Sequence, residues 1–100
     1  MEKRVCSIED IRNGEMKLFS VNDKEVVVAN VDGKFYAFQQ SCTHKGGSLD
    51  EGMLLGKDVM CPLHGAQFDI TSGRVTNGPA TRDISTYKVQ VKGNDVNVDA

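Results

Sequence analysis

Histidine is scarce in this chain, since only two of its 100 residues, His44 and His64, are histidine. Cysteine is almost as rare, with three residues. So few cysteines exclude the class of small secreted domain that is built on disulfides. Each histidine follows a cysteine by two or three positions, at Cys42 and Cys61. The few imidazoles of this chain are therefore placed where thiols are also available.

Long apolar runs and clusters of positive charge are also missing. The longest apolar run is residues 26–29, far short of the ~20 residues that cross a bilayer. A formal net charge of −2 without a polybasic segment argues against binding to nucleic acid or to anionic membranes. The first residues lack the apolar stretch of a secretory signal. We therefore expect a cytoplasmic protein without nucleic-acid or membrane partners.

Short segments separated by turn residues predict an all-β fold. Residues 25–31 and 34–38 flank Asp32-Gly33, which is typical of a hairpin with a type I′ turn. Residues 7–10 match a capping signature for one helical turn. The same strand and turn signals predict three further strand pairs: 53–55 with 58–60, 68–70 with 74–75, and 87–91 with 96–98. No segment keeps helical periodicity over three turns. The chain is therefore expected to be one domain, residues 1–100, built as an antiparallel β-sandwich or small barrel.

Two segments, 39–50 and 61–67, do not resemble strands, and they carry both histidines. The first contains Cys42-Thr43-His44 and the second contains Cys61-Pro62-Leu63-His64, with sixteen residues between His44 and Cys61. Thiolate and imidazole are ligands for zinc and for iron–sulfur clusters. Two such groups on one tight turn reach a common centre at little ordering cost. The pattern therefore predicts a metal site with these four ligands.

The residues leave two kinds of metal centre open. A structural zinc site also takes two cysteines and two histidines. Zinc fingers, however, usually place their cysteines in one half and their histidines on a helix in the other. Here each loop supplies one ligand of each kind, which suits a binuclear cluster because each loop can reach both metal ions.

The two loops resemble the signature of the Rieske [2Fe–2S] family: C-T-H, then C-P-L-H-G, with a similar gap between them. Gly78-Pro79-Ala80 is similar to the proline loop that covers the cluster in that family. The resemblance implies that Cys42 and Cys61 hold one iron and that His44 and His64 hold the other. It also implies a Rieske-like fold in which a two-loop cluster-binding subdomain occupies about residues 39–80.

Two departures distinguish this chain from respiratory Rieske proteins. Gly47 and Leu63 stand where those proteins carry an extra pair of cysteines joined by a disulfide. Ala66 and Phe68 stand where they carry a serine and a tyrosine that donate hydrogen bonds at the cluster. Each missing donor removes stabilisation of the reduced, more negative cluster. We therefore expect a reduction potential at the low end of the Rieske range, roughly −150 mV.

The resemblance implies an electron carrier rather than an enzyme. No histidine remains for a mononuclear iron site, and no G-x-G-x-x-G fingerprint for a dinucleotide is present. We expect one [2Fe–2S] cluster per chain that carries electrons transiently from a flavoprotein reductase to a terminal oxygenase or similar enzyme. Two alternatives stay open: a tightly bound small subunit of a reductase, resembling those of nitrite reductases, and a zinc-stabilised binding module.

Other reactive and charged residues have simpler interpretations. Cys6 has no cysteine or histidine near it in sequence and is expected to pack as a small hydrophobic residue. Four acidic residues follow the first loop at scattered positions: Asp50, Glu51, Asp58 and Asp69. They form either an ordinary solvated surface or a docking surface for a basic partner.

Overall fold

Ten strands in two antiparallel sheets make up the part of the chain that the computed structural model describes, residues 2–42, 47–62, 65–78 and 82–100. In chain order the strands are β1 (Glu2–Ser7), β2 (Met16–Val21), β3 (Lys24–Val31), β4 (Lys34–Gln39), β5 (Met53–Leu55), β6 (Asp58–Met60), β7 (Gln67–Asp69), β8 (Val75–Asn77), β9 (Thr86–Lys92) and β10 (Asp95–Asp99). Single turns of 3-10 helix lie at Ile8–Asp10 and Leu49–Glu51. The predicted all-β antiparallel fold is confirmed.

The larger sheet has six strands in the order β1-β10-β9-β4-β3-β2. Its two outer strands, β1 and β2, contact each other, so the sheet curls into a nearly closed barrel. Strand β1 was not predicted from the sequence. It begins with three charged residues and contains a bulge between Arg4 and Cys6, and both features hide the two-residue alternation of a strand.

Tight turns with positive φ set the register of the barrel hairpins. Asp32 and Gly33 have φ of 53° and 84°, which confirms the predicted type I′ turn between β3 and β4. Asn22 and Asp23 have φ of 50° and 66° and join β2 to β3 in the same way. Asparagine and aspartate tolerate this left-handed region better than other side chains, so the second turn forms without glycine.

Strand β3 is buried on both of its faces and separates two hydrophobic cores. Val26 and Val28 point into the barrel core, whereas Val27 and Ala29 belong to a second core beneath the smaller sheet. A strand covered on both sides needs apolar residues at consecutive positions. This explains why the longest apolar run of the sequence lies at residues 26–29.

The smaller sheet, in the order β5-β6-β7-β8, packs its inner face on this second core. Leu54, Val59 and Phe68 supply that face, and the predicted pairing of 53–55 with 58–60 is confirmed. The predicted bounds 68–70 and 74–75 were displaced by one or two residues. The Asp69 N–H donates to the Arg74 carbonyl at 2.8 Å, so the residues between them form the turn. Strand β7 therefore ends at Asp69, and β8 begins at Val75.

Candidate metal centre

The first loop lies between Cys42 and Gly47, and the backbone pairing that encloses it ends at these two residues. Ser41 and Ser48 form an antiparallel bridge. One residue further in, the Cys42 N–H donates to the Gly47 carbonyl at 2.8 Å. Leu49 closes the base of this pairing, since its N–H donates to the Gln40 carbonyl at 2.8 Å. Cys42 is therefore held at the point where the paired backbone opens into the loop.

The second loop, residues 61–66, repeats this arrangement. Met60 and Gln67 are register partners on β6 and β7. One residue further in, the Cys61 N–H donates to the Ala66 carbonyl at 2.7 Å. In both loops the bridge partners are seven positions apart, and the cysteine donates to the residue five positions ahead of it. The two cysteines thus occupy equivalent positions at the start of their loops.

Both cysteines lie in the same hydrophobic core. Cys42 is 3% exposed and Cys61 is 1% exposed, and both belong to the cluster that contains Leu49, Val59 and Phe68. A buried thiolate is costly unless a cation compensates its charge. Here two thiols from separate loops enter one apolar core. A metal centre shared by both would supply the compensating positive charge.

The two predicted histidine ligands, His44 and His64, lie outside the described residues. The same holds for Leu63 and for Pro79 and Ala80. The segment between β8 and β9 that contains these last two residues is called the third loop below. Within the described part of the chain, no group of three or more cysteine, histidine, aspartate or glutamate side chains gathers as a metal site. The two described thiols fit half of a two-cysteine, two-histidine donor set. The second half of that set stays a prediction.

The base of the third loop is tied to the rest of the smaller sheet from both sides. The Val75 N–H donates to the Asp83 carboxylate at 3.0 Å, and the Ile84 N–H donates to the Gly73 carbonyl at 2.8 Å. A Cβ atom on Gly73, whose φ is +82°, would overlap the Ile84 carbonyl oxygen. These contacts bring the two ends of the segment that contains residues 79–81 together.

Comparison with known proteins identifies the group that this donor set serves. The profile of the Rieske [2Fe–2S] domain family matches residues 1–88. The chain belongs to the Rieske [2Fe–2S] family. Its cofactor is therefore a [2Fe–2S] cluster, which moves single electrons when bound. The predicted family and cofactor are confirmed.

Individual Rieske relatives match over most of their length. The ferredoxin component of the naphthalene 1,2-dioxygenase/salicylate 5-hydroxylase systems of Ralstonia sp. is 36% identical over 85 residues, which are 85% of this chain and 82% of that protein. Among solved structures, a ferredoxin from the complex of reduced oxygenase and oxidized ferredoxin in carbazole 1,9a-dioxygenase superposes with a TM-score of 0.92. It is 33% identical, and the match covers 97% of this chain and 100% of that one.

One further solved structure bears on the fold alone. A protein described as the small subunit of an NADPH nitrite reductase superposes with a TM-score of 0.86 at 21% identity, over 100% of this chain and 99% of that one. This likeness confirms the Rieske architecture and does not distinguish a soluble carrier from a bound subunit. The helices of the described residues include none that is long and apolar enough to span a membrane.

The surroundings of Cys42 and Cys61 are apolar. Ala66 and Phe68 are both fully buried. Ala66 contributes its backbone carbonyl to the bond with the Cys61 N–H, and its methyl side chain has no donor to offer. Neither residue can therefore donate a side-chain hydrogen bond to a cluster sulfur or to a cysteine ligand.

Charged and reactive groups elsewhere in the Rieske fold have local explanations. Cys6 is buried in the barrel core, away from the core of Cys42 and Cys61, which confirms its predicted packing role. Burial raises the pKa of its thiol, and the nearby Asp10 acts in the same direction. In the turn after β7, the Thr71 hydroxyl donates to Asp69 at 2.5 Å and lowers the pKa of that carboxyl group.

Two positioning residues of the Rieske loops escaped prediction from the sequence. Gln39 bonds to segments on both sides of the cluster loops, through Ser41 and Ser85. Gly52 lies so close to β6 that a Cβ atom there would overlap the carbonyl oxygen of Met60, next to Cys61. Glycine marks close approach only after the fold is known, and a glutamine at the end of a strand carries no sequence signal of its own.

Proposed function

We propose that this protein is a one-electron carrier whose single [2Fe–2S] cluster is held by Cys42, His44, Cys61 and His64. The observation that carries the proposal is the equivalence of the two loops. Each has a buried cysteine at the equivalent starting position, and both thiols enter one core. Each loop also has a histidine two or three residues after its cysteine. In this proposal the cysteines bind one iron and the histidines bind the other.

The proposed ligand set fixes the charge of the site. A [2Fe–2S]²⁺ core with two thiolates and two neutral imidazoles is neutral and becomes −1 on reduction, whereas four thiolates would make it −2 and then −3. An electron is added more easily to the neutral site. The buried Ala66 and Phe68 offer no hydroxyl donor, so the reduced state gains less stabilisation than in respiratory proteins. We therefore propose a potential of roughly −150 mV.

The proposed biological role follows from the role of a relative. The Ralstonia relative is the ferredoxin component of an aromatic dioxygenase and hydroxylase system. We propose that this chain likewise accepts an electron from a flavoprotein reductase and delivers it to a terminal oxygenase or similar enzyme. The chain itself would not be an enzyme, because its two histidines are both committed to the cluster.

Domain organisation and location complete the proposal. Residues 1–100 would form one domain, with the cluster-binding part at about residues 39–80. The reducing cytoplasm keeps thiols available as cluster ligands, and we place the protein there.

Potentiometric titration of the purified protein, followed by its visible spectrum, tests the proposed function. We expect one reversible one-electron step at a negative potential. A flavoprotein ferredoxin reductase with its nicotinamide donor should then bleach the oxidised protein. The absence of a one-electron step would contradict the carrier function, and a clearly positive midpoint would contradict the role of Ala66 and Phe68. Co-purification with a large catalytic subunit would favour the bound-subunit alternative.

A further inference from the structure

The outer face of the smaller sheet combines apolar and acidic side chains. Residues directly opposite each other in an antiparallel sheet lie on the same side, and the register pairs Leu55 with Asp58 and Asp58 with Asp69. The second row pairs Met53 with Met60 and Met60 with Gln67. These six residues, Met53, Leu55, Asp58, Met60, Gln67 and Asp69, are called the outer face below.

Two apolar side chains of the outer face are exposed to solvent. Met53 is 55% exposed and Leu55 is 42% exposed. Both lie on β5, which is an edge strand. Single exposed apolar residues are common, but here two occur on one strand and Met60 lies beside them on the next. These three side chains form an apolar strip along the free edge of the smaller sheet.

Two carboxylates face each other beside this strip. Asp58 and Asp69 are direct cross-strand partners, an arrangement that destabilises a sheet when both carry the same charge. The Thr76 hydroxyl donates to Asp58 at 3.0 Å, and the Thr71 hydroxyl donates to Asp69. Lys57 also helps to lower the pKa of Asp69. The lowered pKa keeps Asp69 ionised at neutral pH, and the two adjacent carboxyl groups form an acidic pair that faces an incoming cation.

The outer face ends at the second cluster loop. Met60 immediately precedes Cys61, and Gln67 immediately follows Ala66. At about 3.3 Å per residue along a strand, Asp58 lies within about 10 Å of Cys61. A protein docked on the outer face would therefore sit beside the electron-carrying site.

Charge distinguishes which of the two redox partners this face suits. Reduction adds one negative charge to the proposed site. A basic partner on an acidic face therefore binds the reduced carrier more tightly and releases the oxidised carrier more easily. This order of affinities favours turnover with an electron acceptor, which binds the reduced carrier and releases the oxidised one, whereas the reverse order favours turnover with an electron donor.

We propose that the outer face is the docking surface for the electron acceptor, and that the acceptor presents an apolar patch with a rim of lysine or arginine. This proposal rests on the proposed function. The exposed Met53 and Leu55 supply the apolar contact. Asp58 and Asp69 supply the paired charge that steers a basic partner and sets its orientation.

Cytochrome c is a suitable probe, because its exposed haem edge is surrounded by lysines. One electron leaves the reduced carrier and converts ferric haem to ferrous haem, so stopped-flow absorbance measures the second-order rate. The first variant is Asp58→Asn with Asp69→Asn, which keeps oxygen acceptors for both threonines. The second is Met53→Ser with Leu55→Ser. Cytochrome c with acetylated lysines serves as the partner that lacks the positive charges around the haem edge.

Matched controls come from the six-stranded sheet. Asp23→Asn with Glu25→Gln removes the same charge from the β2–β3 hairpin. Val91→Ser changes a side chain on β9 that is 47% exposed. Visible spectra and circular dichroism verify that each variant keeps its cluster and its fold.

At low ionic strength we expect the Asp58/Asp69 variant to slow electron transfer about tenfold or more and to lose most of its salt dependence. The Met53/Leu55 variant should slow transfer severalfold at every salt concentration, and both controls should stay within twofold of wild type. A binding measurement gives an independent readout. Surface plasmon resonance with ferrous cytochrome c, which cannot accept a further electron, should show tighter binding to the reduced wild-type carrier than to the oxidised one, and acetylation should remove this preference.

Two outcomes contradict the docking proposal. In one, the outer-face variants and the controls behave alike while the wild-type carrier reduces cytochrome c normally. In the other, acetylated and native cytochrome c react equally fast. A wild-type protein that holds no redox-active cluster would instead contradict the carrier function, and the docking proposal would fall with it.

Discussion

Gln39 is joined to Ser85 by two hydrogen bonds, one from its backbone and one from its side chain. The Gln39 N–H donates to the Ser85 carbonyl at 2.9 Å, and the Ser85 N–H donates to the Gln39 side-chain oxygen at 2.7 Å. The side-chain amide then donates to the Ser41 carbonyl at 2.6 Å. The side chain therefore takes the place of a backbone hydrogen bond at the point where the pairing of β4 with β9 ends. It also connects the start of the first loop to the segment that follows the third loop.

Replacing Gln39 by alanine should loosen both loops. The variant loses two side-chain hydrogen bonds, each worth about 1 kcal/mol, so the free energy of unfolding should fall by about 2 kcal/mol. Cluster loss at elevated temperature, followed by visible absorbance, should become faster. Gln90→Ala on the exposed side of β9 is the control. Equal cluster lifetimes in the two variants would show that Gln39 does not position the loops.

Gly52 should tolerate no side chain, because its backbone lies against β6. A methyl group there would overlap the Met60 carbonyl oxygen, whereas a methyl group on Gly78 would meet no atom of the described residues within 4 Å. Gly52→Ala should therefore lower the free energy of unfolding by about 1–3 kcal/mol, and Gly78→Ala should change it little. Urea unfolding measures both. A Gly52→Ala protein as stable as Gly78→Ala would mean that β5 can move away from β6 without cost.

The hydroxyl of Thr71 should control the acid titration of Asp69. Because the folded-state pKa of Asp69 is lowered, its contribution to stability is fully present above the unfolded value near 4 and is lost as pH falls through the folded pKa. Thr71→Val removes the main cause and should raise that pKa toward its ordinary value. Carbon-13 NMR of the Asp69 carboxyl group measures the midpoint. Thr86→Val, on β9, should leave the midpoint unchanged, and an equal midpoint in Thr71→Val and wild type would refute the assignment.

His64→Cys tests the charge argument without removing a ligand position. A third thiolate makes the oxidised site more negative, so the midpoint should fall by roughly 100 mV or more if the cluster assembles. The measurement is a potentiometric titration beside the wild type. Cys6→Ser, in the barrel core, should leave the midpoint unchanged. An unchanged midpoint in His64→Cys would show that residue 64 is not a ligand.

The sequence predicted those parts of the fold that depend on local chemistry. Asp32-Gly33 favours a type I′ turn by its own conformational preferences. The apolar run at 26–29 is typical of a strand that is buried on both faces. Strand β1 escaped because its bulge and its three leading charged residues hide the alternation of a strand, and because Arg4 finds its partner Asp95 only on the distant β10. The proposed ligands could be predicted because the cysteine and the histidine of each loop are only two or three residues apart in sequence. Gln39 and Gly52 could not, because their partners Ser85 and Met60 come close to them only in the folded chain.

Metal and sulfide analysis of freshly purified protein bears most directly on the four-ligand cluster. We expect two irons and two acid-labile sulfides per chain, no zinc, and a coloured protein. Cys42→Ser and Cys61→Ser should each lose both iron and sulfide, whereas Cys6→Ser should keep them. A colourless, fully folded wild-type protein that contains zinc and no sulfide would contradict the cluster and the electron-carrying role together.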